Sequence, residues 1–491
     1  MFWQRHNNRD SFDKELLSFD LLFQLAYMSA IAASGISRNL IFDRASKLPV
    51  TSSRFFKEIH ILTQKMGYDY PEACRLVGEA TKEDQVKSLL LRLSSSLASG
   101  EAETDFLARE TKIQAESYGN EYERKLESLR KWTDAYISLI ISAAIIIVVA
   151  VVSMLIYSVT TMFIMGLVAV MIGVSMLGAW IIYRSAPREI KTLSPKQGFK
   201  AKLSSTLVIG LIAGDAVLCT LLALKGIGVG WVFLVGGAIL LPIGAQSIID
   251  DRKIEKRDSE VSTFLRSLGS VATAIGTTVR EALGRIDLRS MGTLAKEINR
   301  LRTRLFSRLN PDLCWNRFVS ETGSELVNRS VTMFQDATNL GGEPEEVGSR
   351  SSLLGMKVSL LRAKRRLVSS TFGYLALVMH GAAVALLVFI IEVVNIFGQT
   401  VQNISLNGAG GLTMIPLGIF NFDDADMQLL RWILIPVIMI MSVANAWAPK
   451  AAEGGHNHKF FFFLGVTLAI SGLVLLTVPE LAKMIFAIVP D

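Results

Sequence analysis

Residues of the kind that carry catalysis are scarce in this chain, and their spacing argues against a reaction centre. The five histidines are His6, His60, His380, His456 and His458, and only His456-Asn457-His458 brings two together. None forms His-Glu-x-x-His, the spacing that sets two metal ligands and a base on one helical face. The His-Asn-His step could hold a metal weakly and reads better as part of a solvated loop. A phosphate-cradling Gly-x-x-x-x-Gly-Lys loop is excluded, because the dipeptide Gly-Lys occurs nowhere. No Gly-x-Ser-x-Gly elbow is present either. Cys74, Cys219 and Cys314 form no Cys-x-x-Cys pair, so reduced thiols are expected rather than a disulfide or zinc framework. No enzyme activity, metal or cofactor is expected, and energy for any mechanical work must come from a partner.

Three other groups of polar residues invite a functional reading. Asp215 and His380 each sit in the middle of an apolar stretch. An Asp at the bilayer centre costs about 2.5–3.5 kcal/mol on insertion scales, so both should face protein or water. A proton or ion path is the sharper interpretation, and hydrogen bonding between helices the plainer one. Arg300, Arg304 and Arg308 recur every fourth residue with Arg302 beside them, while Leu301, Leu305 and Leu309 form the adjoining stripe. That face is either solvated or a grip for an acidic partner or anionic lipid. No aromatic residues interleave with the arginines, which disfavours nucleic acid. Asn403-Ile404-Ser405 is a glycosylation sequon. Asp423-Asp424 is too sparse for a calcium site.

The elements that hold these residues follow from where the apolar side chains cluster. Hydrophobic residues make up 51% of the 491 residues, charged residues 19%, and mean hydropathy is +0.40. That composition excludes a disordered chain and disfavours an ordinary cytosolic enzyme. No Asp, Glu, Lys, Arg or His occurs between Asp134 and Arg184. One membrane helix needs about 20 apolar residues, so this run is predicted to hold two, Ile137–Tyr157 and Met162–Tyr183, turning at Ser158–Thr161. Further spans are predicted at Ser204–Leu224, Gly226–Ile249, Leu367–Ile391, Trp432–Ala448 and Phe460–Val478, seven in all. The apolar stretch Leu21–Ile36 follows a segment with Asp10, Asp13, Glu15 and Asp20, which suits a buried soluble helix better than a secretory signal.

Lys and Arg in short flanking loops set orientation. The connection after Arg184 carries Arg188, Lys191, Lys196, Lys200 and Lys202 against Glu189 alone, so it is expected inside the cell. The Glu392–Arg431 loop is acidic and is expected outside. The N-terminus is then inside and the C-terminus outside. The expected layout is a first cytoplasmic helical block (1–135), a membrane hairpin (136–183), a basic cytoplasmic loop (184–203), a second hairpin (204–249) and a second cytoplasmic block (250–366). A fifth span (367–391), an extracytoplasmic loop (392–431), a sixth span (432–448), a cytoplasmic loop (449–459), a seventh span (460–479) and an extracytoplasmic tail (480–491) complete it.

Both cytoplasmic blocks show apolar residues at three- and four-residue spacing, as in Leu89, Leu93 and Leu97, and read as helical bundles. The first block is nearly neutral and the second is basic, so most of the formal +7 charge lies in the second block and the basic loop. They also match each other. Leu25–Gly35 and Leu265–Gly276 are small-residue helices ending at glycine, and Ser99-Gly100-Glu101 corresponds to Gly341-Gly342-Glu343, at offsets of 241 and 242 residues. The same offset carries the first membrane helix onto the fifth. The fold class expected is therefore all-α, a polytopic membrane protein with about seven transmembrane helices and two repeated cytoplasmic helical bundles.

On these residues the chain resembles a known family. Leu89–Leu107 (LLLRLSSSLASGEAETDFL), the run through Tyr122-Glu123-Arg124-Lys125-Leu126-Glu127 into the first span, and Val331–Arg366 (VTMFQDATNLGGEPEEVGSRSSLLGMKVSLLRAKRR) resemble the type II/type IV secretion F-domain family. Its members are inner-membrane platform proteins of type IV pili, archaella and Tad systems. Bacterial pilus members have about three membrane helices, and the four extra ones here resemble the archaellum and archaeal pilus branch. The resemblance implies a non-enzymatic platform in the cell membrane whose cytoplasmic bundles engage a hexameric secretion ATPase and whose membrane helices receive pilin-like subunits. A homodimer or higher homo-oligomer is expected, with membrane lipid around it and no nucleic acid. The competing class is a secondary transporter working through Asp215 and His380.

Overall fold

The computed structural model describes residues 14–154, 161–193, 205–407 and 424–487. They form α1 (Lys14–Ala32), α2 (Arg38–Ser46), α3 (Ser53–Met66), α4 (Tyr70–Ala80), α5 (Asp84–Ser99), α6 (Glu103–Met154), α7 (Thr161–Ser185) and α8 (Ser205–Leu224). There follow α9 (Val229–Ile275), α10 (Val279–Arg285), a 3-10 segment (Leu288–Leu294), α11 (Ala295–Phe306), α12 (Pro311–Thr322) and α13 (Glu325–Asn339). The last three are α14 (Pro344–Asn407), α15 (Asp424–Glu453) and α16 (Lys459–Ala487). Among the described residues there is no strand, only an isolated bridge between Thr192 and Ser324. The chain is all-α.

Two compact units divide it. One gathers Met1–Arg124, Pro187–Lys200 and Asp251–Lys364, the other Lys125–Ala186, Ala201–Asp250 and Arg365–Asp491. Helices α6, α9 and α14 each have residues in both units. No proline interrupts α6 or α14, so nothing removes a backbone donor along either.

In the first unit a six-helix pattern occurs twice. The ends of α1 and α9 are followed by Gly35 (φ +68°) and Gly276 (φ +65°), left-handed positions that stop a helix without a Cβ clash. Helices α2 to α6 then correspond one to one with α10 to α14. Their starts pair as Arg38 with Val279, Ser53 with Ala295, Tyr70 with Pro311, Asp84 with Glu325 and Glu103 with Pro344, a nearly constant offset. Proline stands at the beginning of both α4 and α12, where the missing N–H costs nothing. Glu123 and Lys364, equivalent positions 241 residues apart, pair at 2.5 Å.

The two copies are fused through α1 and α13. Asp20 pairs with Arg329 at 2.8 Å, both nearly inaccessible. The Arg329 guanidinium also lies over the rings of Phe19 and Phe23, at 4.5 and 5.0 Å from their centroids. Tyr27 donates to Asp336 at 2.8 Å, and Ser34 to the carbonyl of Ala337 at 3.0 Å. A short stretch after α7 docks here too, where Leu193 N–H donates to Gly323 O and Glu325 N–H to Lys191 O. Glu189 and Asp258 both bind Arg362, at 2.8 and 2.5 Å.

Among the described residues seven helices are long and apolar enough to cross a membrane, and α1 is one of them. Its apolar stretch is 89% buried inside the unit. It also carries Asp20 and Gln24, the latter bound to Ala45 O and Ser52. Helix α1 is a core helix. The expected third span coincides with α8, whose Val208–Leu222 stretch is apolar but shorter than that criterion. The remaining six candidates overlap the other six expected spans. The protein is a multi-pass membrane protein.

Within the second unit, close helix contact is set by glycines seven residues apart. A Cβ on Gly237 would lie 2.6 Å from Gly465 O, and one on Gly472 would lie 2.6 Å from Gly230 O. Helices α9 and α16 therefore touch backbone to backbone, the small-residue packing that replaces hydrophobic driving force in lipid. The predicted turn residues Ser158–Thr160, the lysines Lys196, Lys200 and Lys202, Asp423 and the side chain of Asp424 lie outside the described residues.

Candidate functional site

The basic helix face is built on α11. Ile298, Leu301 and Leu305 are buried on one side, which forces the arginines to the other. Glu321, one helix later, gathers two of them together with Arg317 of its own helix. Arg304 reaches it at 2.5 Å, Arg317 at 3.4 Å and Arg300 at 4.0 Å. Arg302 donates to Asn299 at 2.8 Å within the same helix. Arg308 follows the helix end, exposed and at φ +57°, the sole non-glycine at positive φ among the described residues. Its counterpart in the first copy is Gly67, at φ +74°.

Arg308 also borders a cavity of about 580 Å3 shared by Thr278, Arg280, Leu305, Leu309, Trp315 and Phe334. On the same corner Phe306, Leu309 and Leu313 are each more than half exposed. The equivalent corner of the first copy exposes Met66 and Tyr68. A pocket with an apolar rim and two arginines, Arg280 and Arg308, has the character of a recess for an acidic segment bearing apolar side chains. An arginine held at positive φ stores about 1–2 kcal/mol of backbone strain, the kind of local cost found at working surfaces.

The intramembrane polar residues fall in separate places. His380 on α14 is fully buried. One ring nitrogen, Nε2, lies 2.9 Å from Ser471 Oγ and the other, Nδ1, 3.0 Å from the Asn445 amide nitrogen. Tyr136 on α6 donates to the Asn445 carbonyl oxygen at 2.8 Å. With Nδ1 accepting from Asn445, Nε2 carries the proton and donates to Ser471. The ring thus ties α14, α15, α16 and α6 together. Asp215 on α8 has Cys219 Sγ at 3.7 Å and shares no hydrogen-bond partner with His380. Sequence reading found His380 and missed its partners Tyr136, Asn445 and Ser471. Asn445 was the available signal, an amide inside an apolar run.

Other residues that could do chemistry are occupied or inert. Burial pushes the Cys74 thiol up to about 12 and raises Cys314 as well, so neither is a nucleophile. The rings of His456 and His458 lie 4.7 Å apart, and burial followed by the neighbouring His456 lowers His458. Among the described residues no three His, Cys, Asp or Glu side chains are grouped to hold a metal. Asn403 falls within α14, its side chain outside the described residues.

No protein-family model matches this chain, and no solved structure matches it. Two curated proteins do. The chain is 23% identical over 437 residues to the flagella accessory protein J of Methanococcus voltae, covering 85% of this chain and 76% of that one. It is 26% identical over 434 residues to the protein of the same name from Methanocaldococcus jannaschii, with the same coverage.

Proposed function

We propose that this protein is the membrane platform on which a type IV-like filament, in the first instance an archaellum, is assembled. The observation that carries this reading is the double six-helix copy, each copy closed by a helix that continues without a break into an apolar, membrane-length stretch. The similarity to two flagella accessory proteins over most of the chain supports it. The protein supplies no catalysis of its own. A hexameric secretion ATPase engages the cytoplasmic unit, pilin-like subunits enter beside the membrane helices, and the N-terminus lies inside the cell.

Motion imposed on the water-exposed half of α6 or α14 is carried along a continuous hydrogen-bonded helix, and the corner at Arg280 and Arg308 offers the ATPase an acidic-segment recess. The test is to break one helix. A Lys131→Pro change removes one intrahelical hydrogen bond and costs about 3 kcal/mol locally. Expected is a protein that still inserts into membranes and still co-purifies with the ATPase but no longer supports filaments. Filaments of normal number and length would overturn the lever.

A further inference from the structure

One corner of the six-helix pattern is filled in the first copy and open in the second. In the first copy Arg38, at the start of α2, pairs with Glu103, at the start of α6. The Tyr70 ring, at the start of α4, lies 4.7 Å from the Phe42 ring and 5.9 Å from the Arg38 guanidinium. Its hydroxyl donates to Asn39 at 3.1 Å. The equivalent positions of the second copy are Val279, Pro344 and Pro311. An ion pair and a phenol are thereby exchanged for an isopropyl group and two prolines. All three replacements line the cavity of about 580 Å3 beside Arg308. The opening is thus space that larger side chains occupy in the other copy, and its volume falls in the roughly 300–1,000 Å3 range of ligand pockets.

The lining of the cavity specifies what should fill it. The charged residues that border it are Arg280 and Arg308, with no acid beside them, and neither has an ion-pair partner among the described residues. Arg280 stands where the first copy has Asn39, the group that receives the Tyr70 hydroxyl. Thr277 lines the cavity too, and its hydroxyl is buried without a hydrogen-bond partner, a cost that an arriving polar group would remove. Buried Trp315 and Phe334 supply an aromatic wall. The missing pieces are those the first copy carries itself: a ring for the apolar wall and a carboxylate for the cations. A small molecule could provide both, yet it would leave Phe306, Leu309 and Leu313 on the same corner more than half exposed. A polypeptide covers that rim as well. We infer that the second copy's recess holds a segment of a partner protein that presents a Tyr or Phe ring next to a Glu or Asp carboxylate, the pair that Tyr70 and Glu103 supply to the first copy from within. This specifies the recess offered to the ATPase and rests on the platform reading only for the owner of the segment.

The experiment uses the full-length protein in detergent and the fluorescein-labelled peptide Gly-Glu-Tyr-Glu-Gly, followed by fluorescence anisotropy at low salt. Expected is saturable binding that weakens roughly tenfold when alanine replaces the peptide's tyrosine, and by a similar factor when glutamine replaces both glutamates. Arg280→Glu and Arg308→Glu should each weaken it about as much. Rebuilding the first copy's filling, by Val279→Arg with Pro311→Tyr and Pro344→Glu, should abolish binding at unchanged helicity. The two arginine variants change exposed side chains and decide the matter if the triple variant does not fold. No saturable binding, or binding that is undiminished in the glutamine peptide or in both arginine variants, would refute the recess. Co-purification of the ATPase is scored separately. An ATPase that still co-purifies with a triple variant unable to bind the peptide would refute its ownership of the segment and leave the recess standing. An ATPase that co-purifies with an unmodified chain unable to bind the peptide would refute the recess and leave the platform reading standing.

Discussion

Helices α1 and α9 end the same way, at a left-handed glycine, yet their surroundings differ. Nearly every residue of α1 from Leu17 onward is buried, whereas the matching turns of α9 leave Thr263 and Arg266 in solvent. The fifth helix of each copy is reversed. Helix α13 of the second copy is buried almost all round, while α5 of the first exposes Lys87, Ser88, Arg92 and Ser95. The first helix of one copy has thus been laid against the fifth helix of the other, whereas the corresponding helices α5 and α9 keep exposed residues on their matching turns. The lesson is that a repeat fixes local structure twice but need not fix packing twice. Polar side chains decide which faces meet, since Asp20 and Arg329 have Val261 and Ser88 at the equivalent positions.

The largest expected effect comes from breaking that contact. Asp20→Ala leaves Arg329 buried with Glu325 as its remaining charge partner and is expected to cost about 3–5 kcal/mol. The matching change, Ser88→Ala on the exposed face of α5, should stay within about 0.5 kcal/mol. Thermal unfolding of the detergent-solubilised protein checks both, and equal losses would mean that the two copies bear load alike. A smaller effect is expected at the third-helix corners. Arg308→Gly should stabilise the fold by about 1 kcal/mol by relieving a left-handed arginine, and Gly67→Arg should destabilise it by a similar amount. Arg308→Gly should also weaken co-purification with the ATPase, whereas a Gly67→Ala control should leave it unchanged.

The smallest effect concerns pH. Burial raises the carboxyl of Asp336 above its ordinary value, against the hydrogen bond from Tyr27, which lowers it. The folded state therefore holds this proton more tightly than the unfolded chain. Stability from this group is highest below the unfolded carboxyl value and falls as pH rises through the folded one. Asp336→Asn keeps an acceptor for Tyr27 and should flatten the weakly acidic part of the stability-against-pH curve. Ser95, the counterpart in the first copy, carries no such proton. A curve of unchanged slope in Asp336→Asn would assign the dependence elsewhere.

Much of the fold could be read along the chain. The charge-free run after Asp134 encodes membrane helices by length alone, and Gly35, Gly100, Gly276 and Gly341 mark helix ends because only a residue without a Cβ turns there freely. The basic stripe on α11 followed from four-residue spacing. The cavity beside Arg308 did not, since Leu305, Trp315 and Phe334 lie on three different helices and Thr278 precedes a fourth. The length of α14 was also hidden, because a span of about 20 residues says nothing about how far the helix continues into water.

The order of apolar and polar residues determined which segments are helices, which of them suit lipid, and that one pattern was used twice. These properties depend on neighbours within a few residues, where covalent geometry fixes the spacing. Which copy's first helix would be enclosed, where His380 would find Asn445 and Ser471, and which copy's corner would stay open were decided only by tertiary structure. Those outcomes depend on contacts between residues as far apart as 309 positions, as for Tyr27 and Asp336, which the chain brings together only when burial of several helices offsets the entropy of closing so long a loop.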